Sequence, residues 1–290
     1  MPTYLPFDPA PRPPRRPLPA LACDSQFHVL GPADRYPVRP GAVYEMPTAT
    51  IETALKLHRT LGVTRGVIVQ PTTYGGDHSV TLDGLKMAGP NYRGCANAAV
   101  FADRDEAYLA KLDKAGVKGA RFTRQGLGIA FDRRAFDRTI GLVRELGWYV
   151  KIQPEVEGVI GNIADFEKLD LPVLIDHMGR PDPTLGRADP SLAKVLDLLA
   201  RGNVWVMLSL TEKISRAGAP WHDVVPVVRA LVEAAPGRIV WGSDWPHPVS
   251  TRQPPNEGAL LDFLFDATLD EAERQAILVD NPARLFGFGA

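Results

Sequence analysis

Eight short apolar runs, separated by longer amphipathic stretches, constrain this chain more than any other feature. The runs are Ala22–Phe27, Gly66–Gln70, Tyr92–Ala98, Gly119–Phe122, Trp148–Gln153, Pro172–Ile175, Val204–Leu208 and Ile239–Trp241. Each has the length and apolar character of a buried strand. Helical spacing fills much of the space between them. In Thr50–Leu61, Ile51, Ala54, Leu55 and Leu57 lie toward one side while Glu52, Lys56 and Arg59 point away. Asp105–Ala115, Asp132–Leu146, Leu192–Leu199 and Val224–Ala235 follow the same rule, with Asp132 and Asp165 read as caps and Gly147 as a stop. Eight strand–helix units in 290 residues predict an α/β chain folded as a (β/α)8 barrel. An open doubly wound sheet is the alternative, weakened because no GxGxxG follows the first run.

The proline-rich residues 1–20 read as an arm on the surface or on a neighbouring subunit, or as a disordered tail. They carry no apolar segment of the kind a signal peptide needs. Residues 21–290 read as one barrel domain. No run of eighteen apolar residues predicts a membrane span. A net charge of -1 with scattered Lys and Arg predicts no nucleic-acid partner. Two cysteines, Cys23 and Cys95, fit a reduced, cytoplasmic protein, with a disulfide between them left open. The chain is expected as a monomer or homodimer.

In an α/β barrel the polar residues that end strands face one rim. Three groups stand there: Asp24-Ser25-Gln26-Phe27-His28, Asp176-His177-Met178-Gly179-Arg180, and Gly242-Ser243-Asp244-Trp245-Pro246-His247. Asp244 is the candidate general base, ionised near basic neighbours and able to take a proton from attacking water. His28 and His177 can polarise a carbonyl or move a proton. His247 is read as a member of the substrate-binding set that also supports Asp244. Asp176 either orients a histidine or closes the barrel. His58 reads as structural, and His78 and His222 have no assigned role.

Arg121 and Arg124 read as an anion clamp after the fourth run, Arg180 as a further carboxylate grip, and Lys213 as a cation after the seventh. Gln26, Gln153 and Thr72 complete the substrate-facing set, with Lys151 and Gln153 read in the phase opposite to Tyr149. A small anionic organic substrate is the expected partner. The cofactor expectation is none. Zinc on His28, His177 and Asp244 with a water is the alternative, thinned by Gln26 and Gln153 where hydrolytic barrels often place histidines.

These motifs resemble the amidohydrolase superfamily, amidohydrolase-related family 2, in the branch of the 2-pyrone-4,6-dicarboxylate lactonases and related sugar lactone enzymes. The resemblance runs from Cys23 to Phe288 and includes Val69-Gln70-Pro71, Ile175-Asp176-His177-Met178-Gly179-Arg180-Pro181-Asp182, Trp241–Pro248 and Asn281-Pro282-Ala283-Arg284-Leu285-Phe286. It implies a distorted (β/α)8 barrel and metal-free opening of a ring ester. Asp244 then corresponds to the base, His28 and His177 to groups around the lactone carbonyl, and Arg121 and Arg180 to substrate-binding arginines. The pyrone dicarboxylate enzymes of that branch have histidine where Gln26 stands, tyrosine at Gln153 and arginine at Lys213, and Arg124 is a candidate for their second strand-four arginine. Gln26 is closer to a galactarolactone isomerase. A lactonase of shifted specificity is the expectation. A lactone isomerase, a zinc hydrolase and a non-catalytic anion-binding barrel are the alternatives.

Overall fold

The structure, a computed structural model, describes residues 4–42, 44–98, 101, 105–123, 132–161 and 163–289. Eight strands form one parallel sheet in sequence order. They are β1 (Cys23–Phe27), β2 (Arg65–Val69), β3 (Tyr92–Asn97), β4 (Val117–Phe122), β5 (Tyr149–Ile152), β6 (Val173–Ile175), β7 (Val204–Leu208) and β8 (Ile239–Trp241). Each overlaps one of the eight apolar runs. Helices pack outside: α1 (Ile51–Leu61), α2 (Ser79–Ala88), α3 (Glu106–Lys114), α4 (Arg133–Glu145), α5 (Pro190–Leu199), α6 (Thr211–Ile214), α7 (Val225–Ala234) and α8 (Glu257–Ala267). Then α9 (Glu271–Gln275) and α10 (Asn281–Phe286) follow. Between β5 and β6 the described residues hold turns and no helix longer than the single 3-10 turn at Val159–Gly161, so the barrel is distorted there. None of the described helices is long and apolar enough to cross a membrane.

Local chemistry sets the helix starts. Thr50, Asp105 and Asp132 each accept a backbone N–H of the first turn. Asp165 caps no helix. The chain must enter β6 at Val173 a few residues on, which leaves little length for a helix, and residues 164–168 form turns instead.

Apolar residues on the outward strand phase pack with the helices into the larger core. The inward phase forms a second cluster that includes Cys23, Val69, Cys95, Tyr149, Leu174, Met207 and Val240. Tyr149 and Lys151 therefore share the inward face. They are two residues apart in a regular strand, which corrects the opposite-phase reading. Cys23 and Cys95 are free buried thiols. Burial pushes both thiols up, so neither is poised to react. The C-terminal tail closes the barrel at the strand N-termini: Phe286 packs 5.3 Å from Tyr149, and Phe288 lies under Arg65 and Arg93.

Seven parallel pairings join β1 through β8, but among the described residues only a single bridge, Phe27 to Trp245, links β8 back to β1. A buried carboxylate fastens this seam. Asp24 accepts the Ser243 hydroxyl at 2.5 Å, the Ser243 N–H at 2.9 Å and the Gln26 N–H at 3.1 Å, and it meets His58 Nε2 at 3.3 Å. Removing it strands several buried donors at once. Asp24→Ala should therefore cost about 3–5 kcal/mol of unfolding free energy. Urea titration reads this directly, and a loss below about 1 kcal/mol would contradict the role of the seam.

Candidate active site

The strand C-termini surround a cavity of about 260 Å³ lined by His28, Tyr44, Thr72, Arg121, Gln153, Val156, His177, Arg180, Leu210, Lys213, Asp244, Pro248 and Val249. A larger hollow of about 790 Å³ lies between α2 and α3 at the opposite strand ends, and it gathers no strand-end polar cluster.

Asp244 follows β8 in the left-handed region, with φ of 60°, as do His247 and Val249. Such non-glycine residues are strained and are held only where the surroundings over-determine them. Here the Asp244 N–H donates to the Gln26 carbonyl at 3.0 Å, and the His28 N–H donates to the Trp245 carbonyl at 2.7 Å. Gln26 Nε2 donates to Asp244 Oδ1 at 2.6 Å, and His28 Nε2 stands 3.3 Å from the same oxygen. No described residue bonds Oδ2. Burial pushes the Asp244 carboxyl up. The His28 contact and the positive charge of Lys213 outweigh that and hold it well below the usual carboxylate range.

His28 is fixed from behind. Its Nδ1–H donates to the Val69 carbonyl at 2.8 Å, since a carbonyl can only accept. His177 meets the Ser209 hydroxyl through Nδ1 at 2.9 Å. Burial pushes its pKa down to about 4 against the opposing pull of Asp244 and Asp176, so it is neutral at ordinary pH. His177, Met178, Gly179 and Arg180 have φ of 53°, 55°, 77° and 53°, a left-handed turn that brings His177 and Arg180 to the same cavity.

Below the cavity, Asp176 is fully buried between Lys151, 2.5 Å away, and Arg121, whose Nε is 3.2 Å away. Burial pushes the Asp176 carboxyl up, and the two cations bring it below its ordinary value. Asp176 thus orients Arg121 and faces the barrel interior. Arg180 has its Nε buried without a hydrogen-bond partner. Lys213 donates to the Pro248 carbonyl at 2.8 Å, joining the loops after β7 and β8.

Most of the expected residues converge: His28, Thr72, Arg121, Gln153, His177, Arg180, Lys213 and Asp244 all line the cavity. Two expected substrate-facing residues do not. Gln26 is fully buried behind Asp244, next to Gly242, where a Cβ would come within 2.8 Å of it. His247 is fully buried, with Nδ1 3.3 Å from Glu212 and Nε2 3.3 Å from Glu257. The left-handed residues around it turn its ring away from the cavity. Arg124 lies outside the described residues. Tyr44 joins the site unannounced, its hydroxyl accepting from Thr72 at 3.1 Å. Its one advance signal is an aromatic residue in the proline-rich loop that follows β1.

Among the described residues no group of three or more His, Cys, Asp or Glu side chains is placed to hold a metal ion. The set of His28, His177 and Asp244 does not form one.

A family model described as amidohydrolase matches residues 23–288. The chain belongs to the amidohydrolase family. It is 36% identical over 275 residues to a 4-sulfomuconolactone hydrolase of Hydrogenophaga intermedia, covering 93% of this chain and 90% of that one. It is 34% identical over 302 residues to a 2-pyrone-4,6-dicarbaxylate hydrolase of Comamonas testosteroni, covering 98% and 96%. A crystal structure of a probable 2-pyrone-4,6-dicarboxylic acid hydrolase from Acinetobacter baumannii, with citric acid bound, matches with a TM-score of 0.79. That comparison has 25% identity and covers 92% of this chain and 100% of that one. This amidohydrolase is thus related to hydrolases named for acidic cyclic esters.

Two buried histidines of this amidohydrolase should titrate at opposite ends of the pH scale. Burial lowers the pKa of His247, but Glu212 and Glu257 outweigh it and raise the value from 6.5 to about 9. The His247 contribution to stability is then complete below pH 6.5 and lost as pH rises through about 9. His177 acts in the other direction, withdrawing stability as pH falls from 6.5 toward about 4. Histidine-labelled NMR should show one ring protonated well above neutrality and another neutral well below it. If both rings titrated near 6.5, this electrostatic picture would be wrong.

Proposed function

We propose that the protein is a lactonase that opens an acidic cyclic ester, carrying a carboxylate or sulfonate, with Asp244 as general base. One observation carries the reading. Asp244 has Oδ1 occupied by Gln26 and His28, while Oδ2 takes no bond from any described residue in a carboxylate that lines the cavity. A water held at Oδ2 is positioned to attack a ring carbonyl as its proton passes to the carboxylate.

The developing oxyanion needs donors. With the Ser209 hydroxyl donating to Nδ1, neutral His177 presents an Nε2–H to it, and Arg180 supplies positive charge nearby. Gln26 holds Asp244 in place through Oδ1. The tetrahedral intermediate then collapses. The carbonyl–ring oxygen bond breaks, and the ring oxygen takes back the proton that Asp244 received from water. Arg121, Arg180 and Lys213 favour an acidic substrate, in keeping with the citric acid in the Acinetobacter relative and with the acidic lactones in the relatives' names. The absence of a metal-holding side-chain group among the described residues supports a metal-free route.

A panel of sulfonated and carboxylated lactones and pyrones in ¹⁸O-enriched water tests the class. The expected product is a linear acid with one labelled oxygen. A rearranged lactone without label would identify an isomerase, and product affinity without turnover would identify a binding barrel. Asp244→Asn should lower kcat at least about 100-fold, and a rate near wild type would exclude Asp244 as the base. Purified protein should hold far less than one zinc per chain and keep its activity in a strong chelator. Loss on chelation with recovery on adding zinc would reverse that conclusion.

A further inference from the structure

Residues 4–20 run as an arm over the surface, and the contacts of its first residues fall on the loop that carries Asp244. The Leu5 N–H donates to the Ser250 carbonyl at 2.9 Å. The Phe7 ring packs on the Trp245 ring with centroids 4.8 Å apart and planes at 51°. Trp245 is itself buried and directly follows Asp244. Its carbonyl accepts the His28 N–H, and its own N–H donates to the Ser243 hydroxyl at 3.0 Å. A displacement of Trp245 therefore reaches Asp244 through the chain and His28 through a hydrogen bond. Ser250 is likewise tied inward, its hydroxyl donating to the His247 carbonyl at 2.8 Å.

The rest of the arm is anchored where that loop enters α8 and along α8 itself. Asn256, the cap of α8, donates to Asp8 at 2.9 Å and to the Ala10 carbonyl at 3.0 Å, and accepts the Arg12 N–H at 3.2 Å. Arg12 and the Arg15 N–H both reach Asp262 at 2.6 Å. Gly258 leaves room for the crossing, because a Cβ there would come within 2.4 Å of the Arg12 carbonyl. Prolines between these anchors reduce the freedom that the arm loses on docking.

We infer that the Leu5–Phe7 end of this arm is a working part of the site, with Phe7 as a positioning residue that holds Trp245, and through it Asp244 and His28, in register for proton transfer. Several non-glycine residues of the clamped loop take left-handed conformations, and such residues relax when their surroundings loosen. Pro248 and Val249, between the two clamps, line the cavity directly. The catalytic part of the inference rests on Asp244 being the base. The strapping of the loop does not.

The test uses full-length Phe7→Ala, Phe7→Tyr and Leu18→Ala. Leu18 packs on the core at the far end of the arm, close to Gly62, and controls for general loosening. Phe7→Ala should lower kcat about 10-fold with KM within about two-fold, because misplacement by a fraction of an ångström weakens a proton-transfer geometry more than it weakens binding. Phe7→Tyr should restore kcat. Leu18→Ala should lower Tm while leaving kcat near wild type. Independently of any substrate, amide hydrogen exchange over residues 243–250 should speed about 10-fold in Phe7→Ala, with α1 unchanged. Unchanged exchange in that segment would overturn the strap. Faster exchange with unchanged kcat, or a loss matched by Leu18→Ala, would overturn the positioning role. If wild type opens no lactone, the proposed reaction fails, and exchange alone still decides whether the arm holds the loop.

Discussion

The carboxylate of Asp24 holds together the least supported part of the barrel. Every other neighbouring pair of strands shares a ladder of backbone hydrogen bonds, whereas β8 and β1 meet at one bridge. A charge buried without compensation would be costly. Asp24 is compensated by donors from both sides of the seam and from α1. Closure and alignment of the site are thus one event. The residues drawn together lie next to Gln26 and Asp244, whose side chains touch 2.6 Å apart. The base candidate is aimed by the same contacts that complete the fold.

A second buried carboxylate organises the opposite wall. Asp176 neutralises part of the charge of Lys151 and Arg121 inside the barrel. It leaves Arg180 and Lys213, at the rim, with no carboxylate bonded to them among the described residues. The cavity therefore presents excess positive charge although the chain as a whole is nearly neutral. Buried as they are, the charges of Asp176, Lys151 and Arg121 act more strongly than they would on the surface. The neutral His177 beside them adds a hydrogen-bonding group without adding charge.

The strands were legible because each is a short apolar run that needs no partner to be recognised. The helices were legible where one face was polar. Glu257–Ala267 is buried nearly all round, so it carries no clear helical stripe, and Ser79–Ala88 is interrupted by Gly84. Strand-end position sufficed to place Asp244, His28, His177 and Arg121 at one cavity. It could not find Ser209, Glu212 or Glu257, whose roles arise from contacts between loops far apart in sequence. His247 shows the limit most clearly. Three residues from Asp244, it belongs to another environment because left-handed residues at both positions turn the chain, and its ring lies between Glu212 and Glu257. Tyr44 likewise reaches the site only because its loop folds back over the strand ends.

Left-handed backbone also bears on how such a site can diverge. Three of the four residues in the His177–Arg180 turn bear side chains in a conformation that penalises a Cβ, and β-branched residues there would be penalised further. Few sequences can therefore occupy the turn, whatever the ligand. Gln153 lies just past the end of β5, and Val156 is exposed in the segment that replaces a helix. Neither position takes a left-handed backbone. Accepted mutations, and with them new substrate preferences, should accumulate on the β5 side of the cavity while the β6 side stays nearly invariant among descendants of this chain.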